Sequence, residues 1–257
     1  MGAGYSILPP VYDRWQKTYG KDFSELILPR LLDTVRTHRI SGATMADLAC
    51  GTGTLALLMA RRGWRVTGVD ASAGMIERAE AKAAPLRLPV SFLRQDMRSF
   101  RLQREVHMVT SFFDSLNHVL SPSDLAEVFR RVHAALRPGG WFVFDMNNDL
   151  CFSLLWTKSE LIAHDDFLLE LENSYDRGTG LAECRVTLTD RTGEHEPQTE
   201  IVRERLYASP AVREALTAAG FTVRECQDFN FTLNPDVGKI KTWWVAEKEQ
   251  PSSPPRR

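Results

Sequence analysis

Cysteine is scarce in this chain, with four in 257 residues and no C-x-x-C pair. That excludes a zinc ribbon and a disulfide scaffold. Cys50, Cys151, Cys184 and Cys226 read as free thiols of a reducing cytoplasm, which is the compartment we expect. An excess of charge of either sign is also missing: 32 Lys+Arg face 33 Asp+Glu, a net charge of -1. A protein that binds nucleic acid through its overall charge is thereby excluded, though a local basic patch is not. Long apolar runs are absent too. Trp141 to Phe144 is far too short to cross a bilayer. The start, MGAGYSILPPVYDRW, has neither a basic segment nor an apolar stretch, so we expect no signal peptide and no membrane partner. His38, His107, His133, His164 and His195 show no ligand-like spacing, and no metal site is expected.

What is present is an alternation of apolar strands and amphipathic helices. Asp22 or Ser24 can cap a first helix carrying Phe23, Ile27, Leu31 and Val35 on one face, with Pro29 inside it as a kink or a late start. Strands follow at Thr44 to Ala49, Trp64 to Val69, Val90 to Arg94, Val106 to Ser111 and Trp141 to Asp145. Between them lie a helix with Leu55, Leu58 and Met59, one capped by Ser72, and one opened by Ser121-Pro122 with Leu125, Val128, Phe129, Val132 and Leu136 buried. This order implies an α/β fold, a parallel sheet with helices on both faces. From about residue 150 to 207 the pattern changes to alternating strands at 168–175, 185–190 and 201–207, read as an inserted small antiparallel β lobe. A helix from Ser209-Pro210 and strands at 221–229 and 239–248 complete the core. The chain thus divides into a core with an N-terminal helical cover at 1–149, the insertion at 150–207, the end of the core at 208–249 and a disordered tail at 250–257.

The segment Asp47-Leu48-Ala49-Cys50-Gly51-Thr52-Gly53-Thr54 leaves a strand and enters a helix. Glycines there let the backbone turn tightly and let a ligand lie against it. Asp70 ends the next strand, where a carboxylate accepts bonds from ribose hydroxyls. The bland alternative is a tight strand-to-helix turn with an unrelated surface aspartate. Gly51, Gly53 and Ala56 also satisfy the loose dinucleotide pattern, so a nicotinamide-dependent oxidoreductase must be weighed. Three features favour S-adenosylmethionine (SAM). Asp47 stands where it can meet an ammonium group and would repel a pyrophosphate. Asp96 ends the third strand, within reach of an adenine amino group. Phe112-Phe113-Asp114-Ser115 follows the fourth, where the methionine end would lie.

The runs DLACGTGTLA, VTGVDAS, LRQDM and LRPGGWFVFD resemble the successive motifs of class I SAM-dependent methyltransferases. The resemblance covers residues 40–150 and extends through strand order. It is nearest to small-molecule enzymes, among them sugar N,N-dimethyltransferases, with a Tyr-Asp N-terminal helix (Tyr12-Asp13), a D-S-x-N segment (Asp114 to Asn117) and an antiparallel insertion after strand five. It implies a Rossmann-like seven-stranded sheet with the last strand antiparallel. By matched position, Asp47, Gly51 and Gly53 meet the methionine end, Asp70 the ribose, and Asp96 with Met97 the adenine. Ala49, Ala71, Met75, Phe112 and Phe113 complete the cofactor contacts, and Tyr12 and Tyr19 close over it. One departure is His118, which stands where relatives carry an aromatic residue.

Methyl transfer from a sulfonium needs an aligned acceptor, and an amine or hydroxyl must also lose a proton. The candidate catalytic residues are His118, at the rim after strand four, Asn147, after strand five, and Tyr12. For His118 a partly exposed helix-start histidine is the competing reading. Asp114 and Asn117 either orient a substrate or cap the following loop. Arg203 and Arg205, alternating with Glu204 on the insertion, read as a solvated charged face; an arginine site for an anionic acceptor is the sharper alternative. The expected function is transfer of a methyl group from SAM to a nitrogen or oxygen of a small molecule. An RNA or protein methyltransferase, the oxidoreductase and a non-catalytic SAM-binding protein remain as alternatives, and a homodimer is left open. The acceptor pocket is expected between the insertion and the N-terminal segment, with His118 and Asn147 on its floor.

Overall fold

The computed structural model describes residues 5–18, 22–230, 236 and 238–250. Tyr19 and nearly all of the proline-rich tail lie outside the described residues. Seven strands form the main sheet: β1 (Thr44–Leu48), β2 (Arg65–Asp70), β3 (Val90–Arg94), β4 (Val106–Ser111), β5 (Leu136–Asn147), β10 (Phe221–Phe229) and β11 (Lys241–Lys248). Their order is β10-β11-β5-β4-β1-β2-β3, with β11 alone running against its neighbours. The sheet is therefore the seven-stranded Rossmann-like one that the motifs imply. Strand order reverses between β1 and β4, so their carboxyl ends open a crevice there.

Both faces of the sheet are covered. One core packs Phe129, Val132, Phe142, Phe144, Leu216 and Trp244; the other packs Ile27, Leu31, Met45, Met59, Trp243 and Val245. Trp243 and Trp244 thus fall on opposite faces, as strand alternation requires, and both are core. Helix α1 spans Tyr12–Lys17, and α2 spans Phe23–Thr37. Asp22 caps α2 by accepting from the Ser24 N–H at 2.8 Å, and the helix runs through Pro29 without a late start. Helices α3 (Thr54–Ala60), α4 (Ala73–Ala83) and α5 (Pro122–Ala135) follow. Ser72 and Ser121 cap α4 and α5. Helix α5 stops at Ala135, earlier than its apolar pattern suggests, and Leu136 already belongs to β5. Pro138 lacks an N–H and pushes Arg137 toward extended backbone, so the turn cannot continue.

The insertion opens with α6 (Asp149–Leu154) and forms a four-stranded antiparallel sheet: β6 (Glu160–Ala163), β7 (Phe167–Asp176), β8 (Leu181–Asp190) and β9 (Gln198–Arg205). Sequence reading expected three of these strands; the four-residue β6 and the six-residue α6 are too short to show a period. Helix α7 (Ser209–Ala218) returns the chain to the core. A third apolar cluster joins Leu8 and Val11 of the N-terminal segment to Phe167, Leu169, Val186 and Val202 of the insertion. Arg14 reinforces that contact with a two-pronged bond to Asp166, 2.8 Å on each oxygen. No described helix is long and apolar enough to cross a membrane.

Candidate active site

A cavity of about 530 Å³ lies over the crevice between β1 and β4. It is bounded by the strand ends below, the N-terminal segment above and Ile201 to Arg203 of the insertion on one side. The backbone around its mouth is bent into unusual shapes. Ala49, Gly51 and Gly53 after β1, and Phe113 and Asp114 after β4, all have φ between 53° and 77°. Side-chain-bearing residues rarely hold such angles, at a cost on the order of 1–3 kcal/mol each, and they concentrate where a ligand is gripped.

Of the residues expected to hold the cofactor, Asp47, Ala49, Gly51, Asp70, Ala71, Met75, Asp96, Met97, Phe112 and Phe113 line this cavity. Gly53 does not. It caps α3, and a methyl group there would fall 2.8 Å from the Phe92 ring and 2.9 Å from Ala79 Cβ, so it serves helix–strand packing. Asp70 shapes the loop: its carboxylate accepts the Gly51 N–H at 2.9 Å and the Ser72 N–H at 2.8 Å. Each oxygen keeps lone pairs for a ribose. Burial raises the Asp70 pKa. We expect Asp70→Ala to weaken S-adenosylhomocysteine binding about tenfold in calorimetry, the range of one hydrogen bond to a charged group; unchanged affinity would place the ribose elsewhere.

Asp96 lies at the far end, where Arg98 grips its carboxylate through three bonds from Nε and Nη2 at 2.5–3.2 Å and lowers its pKa. Asp47 is different. It is only 3% exposed, accepts one bond from Thr110 Oγ1 at 2.7 Å, and has no ion pair among the described residues. Burial pushes its pKa up to about 7. A buried carboxylate lacking a cation, beside an open cavity, fits the ammonium of a SAM-type ligand.

The N-terminal helix is pinned over this loop. Tyr12 lines the cavity, with its ring 3.7 Å from where a Gly51 side chain would begin. Asp13 accepts from Thr52 Oγ1 at 2.5 Å, and Lys82 Nζ donates to Asp13, Thr52 and Thr54 at 2.9–3.0 Å.

His118 stands on a 3₁₀ turn, Ser115–His118, and faces the cavity. Its Nδ1 lies 2.9 Å from the Arg203 carbonyl, and its Nε2 lies 3.3 Å from the Tyr5 hydroxyl. Asn147, expected beside it on the cavity floor, is instead enclosed. Its backbone N–H donates to Asn117 Oδ1 at 2.9 Å, and its side chain donates to Glu204 Oε2 at 2.9 Å. Asn117 likewise is fully buried and clamps the Asn147 and Arg205 backbones; it neither orients a substrate nor caps a loop. Behind His118 lies a charged cluster that sequence reading missed. Lys241 Nζ sits 2.7 Å from Asp114 and 3.7 Å from Asp145, and Glu204, 2% exposed, approaches His118 Nε2 at 3.7 Å. Donor atoms of Asp114, His118 and Glu204 lie within 4.8 Å of one another, and the cation already among them is Lys241. Arg203 pairs with Glu183, and Arg205 donates to the Leu120 carbonyl.

Residues 45–140 match the family described as methyltransferase domain. A protein of Geobacillus sp. (strain WCH70) named as a methyltransferase is 29% identical over 247 residues, 92% of this chain and 93% of its own. With the glycine loop, Asp47 and Asp70 around one cavity, these matches decide the assignment. The chain is a SAM-dependent methyltransferase, with a methyltransferase domain over residues 45–140 and the class I fold. SAM is its methyl donor, and the oxidoreductase alternative falls. A dTDP-3-amino-3,4,6-trideoxy-alpha-D-glucopyranose N,N-dimethyltransferase of Streptomyces venezuelae is 31% identical over 136 residues, 52% of this chain and 55% of its own. The fold matches a SAM-dependent methyltransferase from Clostridium acetobutylicum, with a TM-score of 0.78 at 22% identity over 96% of this chain and all of that one. It also matches Streptomyces venezuelae DesVI, at a TM-score of 0.72 and 22% identity over 92% and 96% of the two chains.

Proposed function

We propose that this methyltransferase acts on a nitrogen or oxygen of a small molecule held between the N-terminal segment and the insertion, with His118 as the base. The observation that carries this is the state of the His118 ring. A carbonyl only accepts, so the Arg203 carbonyl fixes the proton on Nδ1 and leaves Nε2 as the acceptor, with the Tyr5 hydroxyl at 3.3 Å in the place that an acceptor's N–H or O–H would take. Burial lowers the His118 pKa, which keeps the ring neutral and able to take a proton. The relatives' names include aminosugar N,N-dimethyltransferases, which supports an acceptor of that size and chemistry. Bound SAM supplies an electrophilic methyl group. Asp47 would hold its ammonium, Asp70 its ribose and Asp96 its adenine end. Tyr5 and Tyr12 would exclude water above the transfer line. A methyl-transfer assay over a panel of amino sugars, simple amines and phenols tests the reading. Transfer to one of these, abolished in His118→Ala, supports it; transfer only to RNA or a protein overturns it.

The cover makes a second expectation. The Asp13 pin and the Arg14–Asp166 pair hold the N-terminal segment along one side of the cavity, where a bound ligand would pack against it. Hydrogen exchange in residues 5–18 should slow at least severalfold on adding S-adenosylhomocysteine. Equal protection with and without ligand would make the segment a fixed brace.

A further inference from the structure

We infer that Glu204, carried into the site by the inserted strand β9, is a positioning residue that presents His118 to the acceptor and stabilises the imidazolium formed when the acceptor's proton arrives. This rests on the reading of His118 as the base. Two consecutive residues of β9 address both ring nitrogens: the Arg203 carbonyl holds Nδ1–H, and Glu204 Oε1 lies 3.7 Å from Nε2. Asn147 fixes the other carboxylate oxygen, Oε2, at 2.9 Å, and is itself anchored on Asn117. The insertion, not the Rossmann-like core, therefore sets the tautomer and the orientation of the base.

The charge balance of the cluster gives the arrangement its purpose. The carboxyl groups of Glu204 and Asp114 lie within 4.8 Å of each other in a buried volume, where two like charges favour holding one proton between them. Asp145 then adds a second negative charge, and Lys241 supplies one positive charge. These four groups carry a single negative charge between them, to which an ionised Asp70 at the end of β2 adds, and a positive charge on His118 offsets it. Among the described residues, Tyr5 and Tyr12 of the N-terminal segment, Asp70 at the end of β2, Cys151 of α6 and Cys184 of β8 also face this volume. At transfer, the acceptor's N–H or O–H bond breaks and its electron pair stays on the acceptor atom, which gains the methyl group. The proton goes to the lone pair of Nε2. The shared proton then shifts from Glu204 to Asp114, which leaves a carboxylate on Glu204 against the imidazolium and the pair's total charge unchanged.

The test is an NMR titration of the full chain, labelled with ¹⁵N in histidine and ¹³C in glutamate carboxyls and saturated with S-adenosylhomocysteine. Wild type should show His118 neutral with its proton on Nδ1, and the Glu204 carboxyl shift should move at the His118 midpoint. Glu204→Gln keeps the shape of the protonated side chain but cannot become an anion, so the His118 midpoint should fall by roughly one pH unit, the effect of losing a close opposite charge. Glu204→Asp should restore part of that shift, which a purely structural role would not do. A proton on Nε2, or a Glu204 carboxyl that is silent at the His118 midpoint, overturns the inference from the wild-type spectra alone, even where the variants do not fold. An unchanged midpoint in a folded, active Glu204→Gln overturns it while leaving His118 as the base. A shifted midpoint with no transfer to any small acceptor leaves this coupling standing and removes the proposed function instead.

Discussion

Calorimetric titration with S-adenosylhomocysteine should give an affinity that rises about tenfold between pH 6 and pH 8, and Asp47→Asn should bind roughly 10–100-fold more weakly with that rise removed. Asp47 sits 3% exposed below the cavity with one neutral donor, Thr110, and its pKa stands at about 7. An ammonium pairs with the ionised carboxylate and gains little from the protonated acid. Binding therefore pulls the pKa down and expels a proton wherever free Asp47 is still protonated. Below pH 7 that deprotonation opposes binding; well above it the carboxylate is already formed and the affinity levels off. The stability of the ligand-free protein runs the other way. The folded pKa lies above the value near 4 of an unfolded aspartate, so the contribution of Asp47 is fully present below that value and is lost as pH rises through about 7. Asp47→Asn should accordingly be no less stable than wild type at pH 8 without ligand, while gaining less from adding it. A wild-type affinity that does not change from pH 6 to pH 8 would mean that the ammonium is held by some other group.

Asp47 was legible because its place before the glycines is a matter of order along one strand-to-loop segment, and order is what a sequence records directly. The same holds for Asp70, Asp96 and the sheet itself. Parallel strands buried on both faces print continuous apolar runs, and their alternation with helices leaves few ways to wind. The cluster behind His118 was not legible, because its members come from four separate places: Asp114 after β4, Asp145 on β5, Glu204 on β9 and Lys241 on β11. Only the pairing of β11 with β5 and the docking of the insertion bring them together. Yet one sign was present. Arg203 and Arg205 read as a solvated face, and on a strand that places Glu204 on the opposite face, toward the core. A carboxylate sent inward needs partners, and it finds Asn147 and Asp114. Asn147 misled for a related reason. The carboxyl end of a parallel strand points at a ligand only where nothing else covers it, and here the insertion does.

Asn117→Ala should lower stability by about 3 kcal/mol, or roughly 6–12 °C in melting temperature for a chain of this size. Its side chain has no exposed surface. Oδ1 accepts the Asn147 N–H at 2.9 Å, and Nδ2 donates to the Arg205 carbonyl at 2.9 Å and to the Asn147 carbonyl at 3.4 Å. One amide thus ties the end of β5 to the end of β9, the junction between the core and the insertion. Alanine would leave a buried N–H and a buried carbonyl unpaired, at about 1–3 kcal/mol each, and a void where the amide was. Asparagine is also the side chain of this size that presents an acceptor and a donor together. Asn117→Asp should do no better than alanine, since its second oxygen would face the Arg205 and Asn147 carbonyls with no proton to offer. Asn117 directly precedes His118, so the same loss loosens the 3₁₀ turn that aims the imidazole. Both variants should then lose the fixed Nδ1–H tautomer of His118 along with the stability. A melting temperature within 2 °C of wild type for Asn117→Ala would show that the core and the insertion hold together without this clamp.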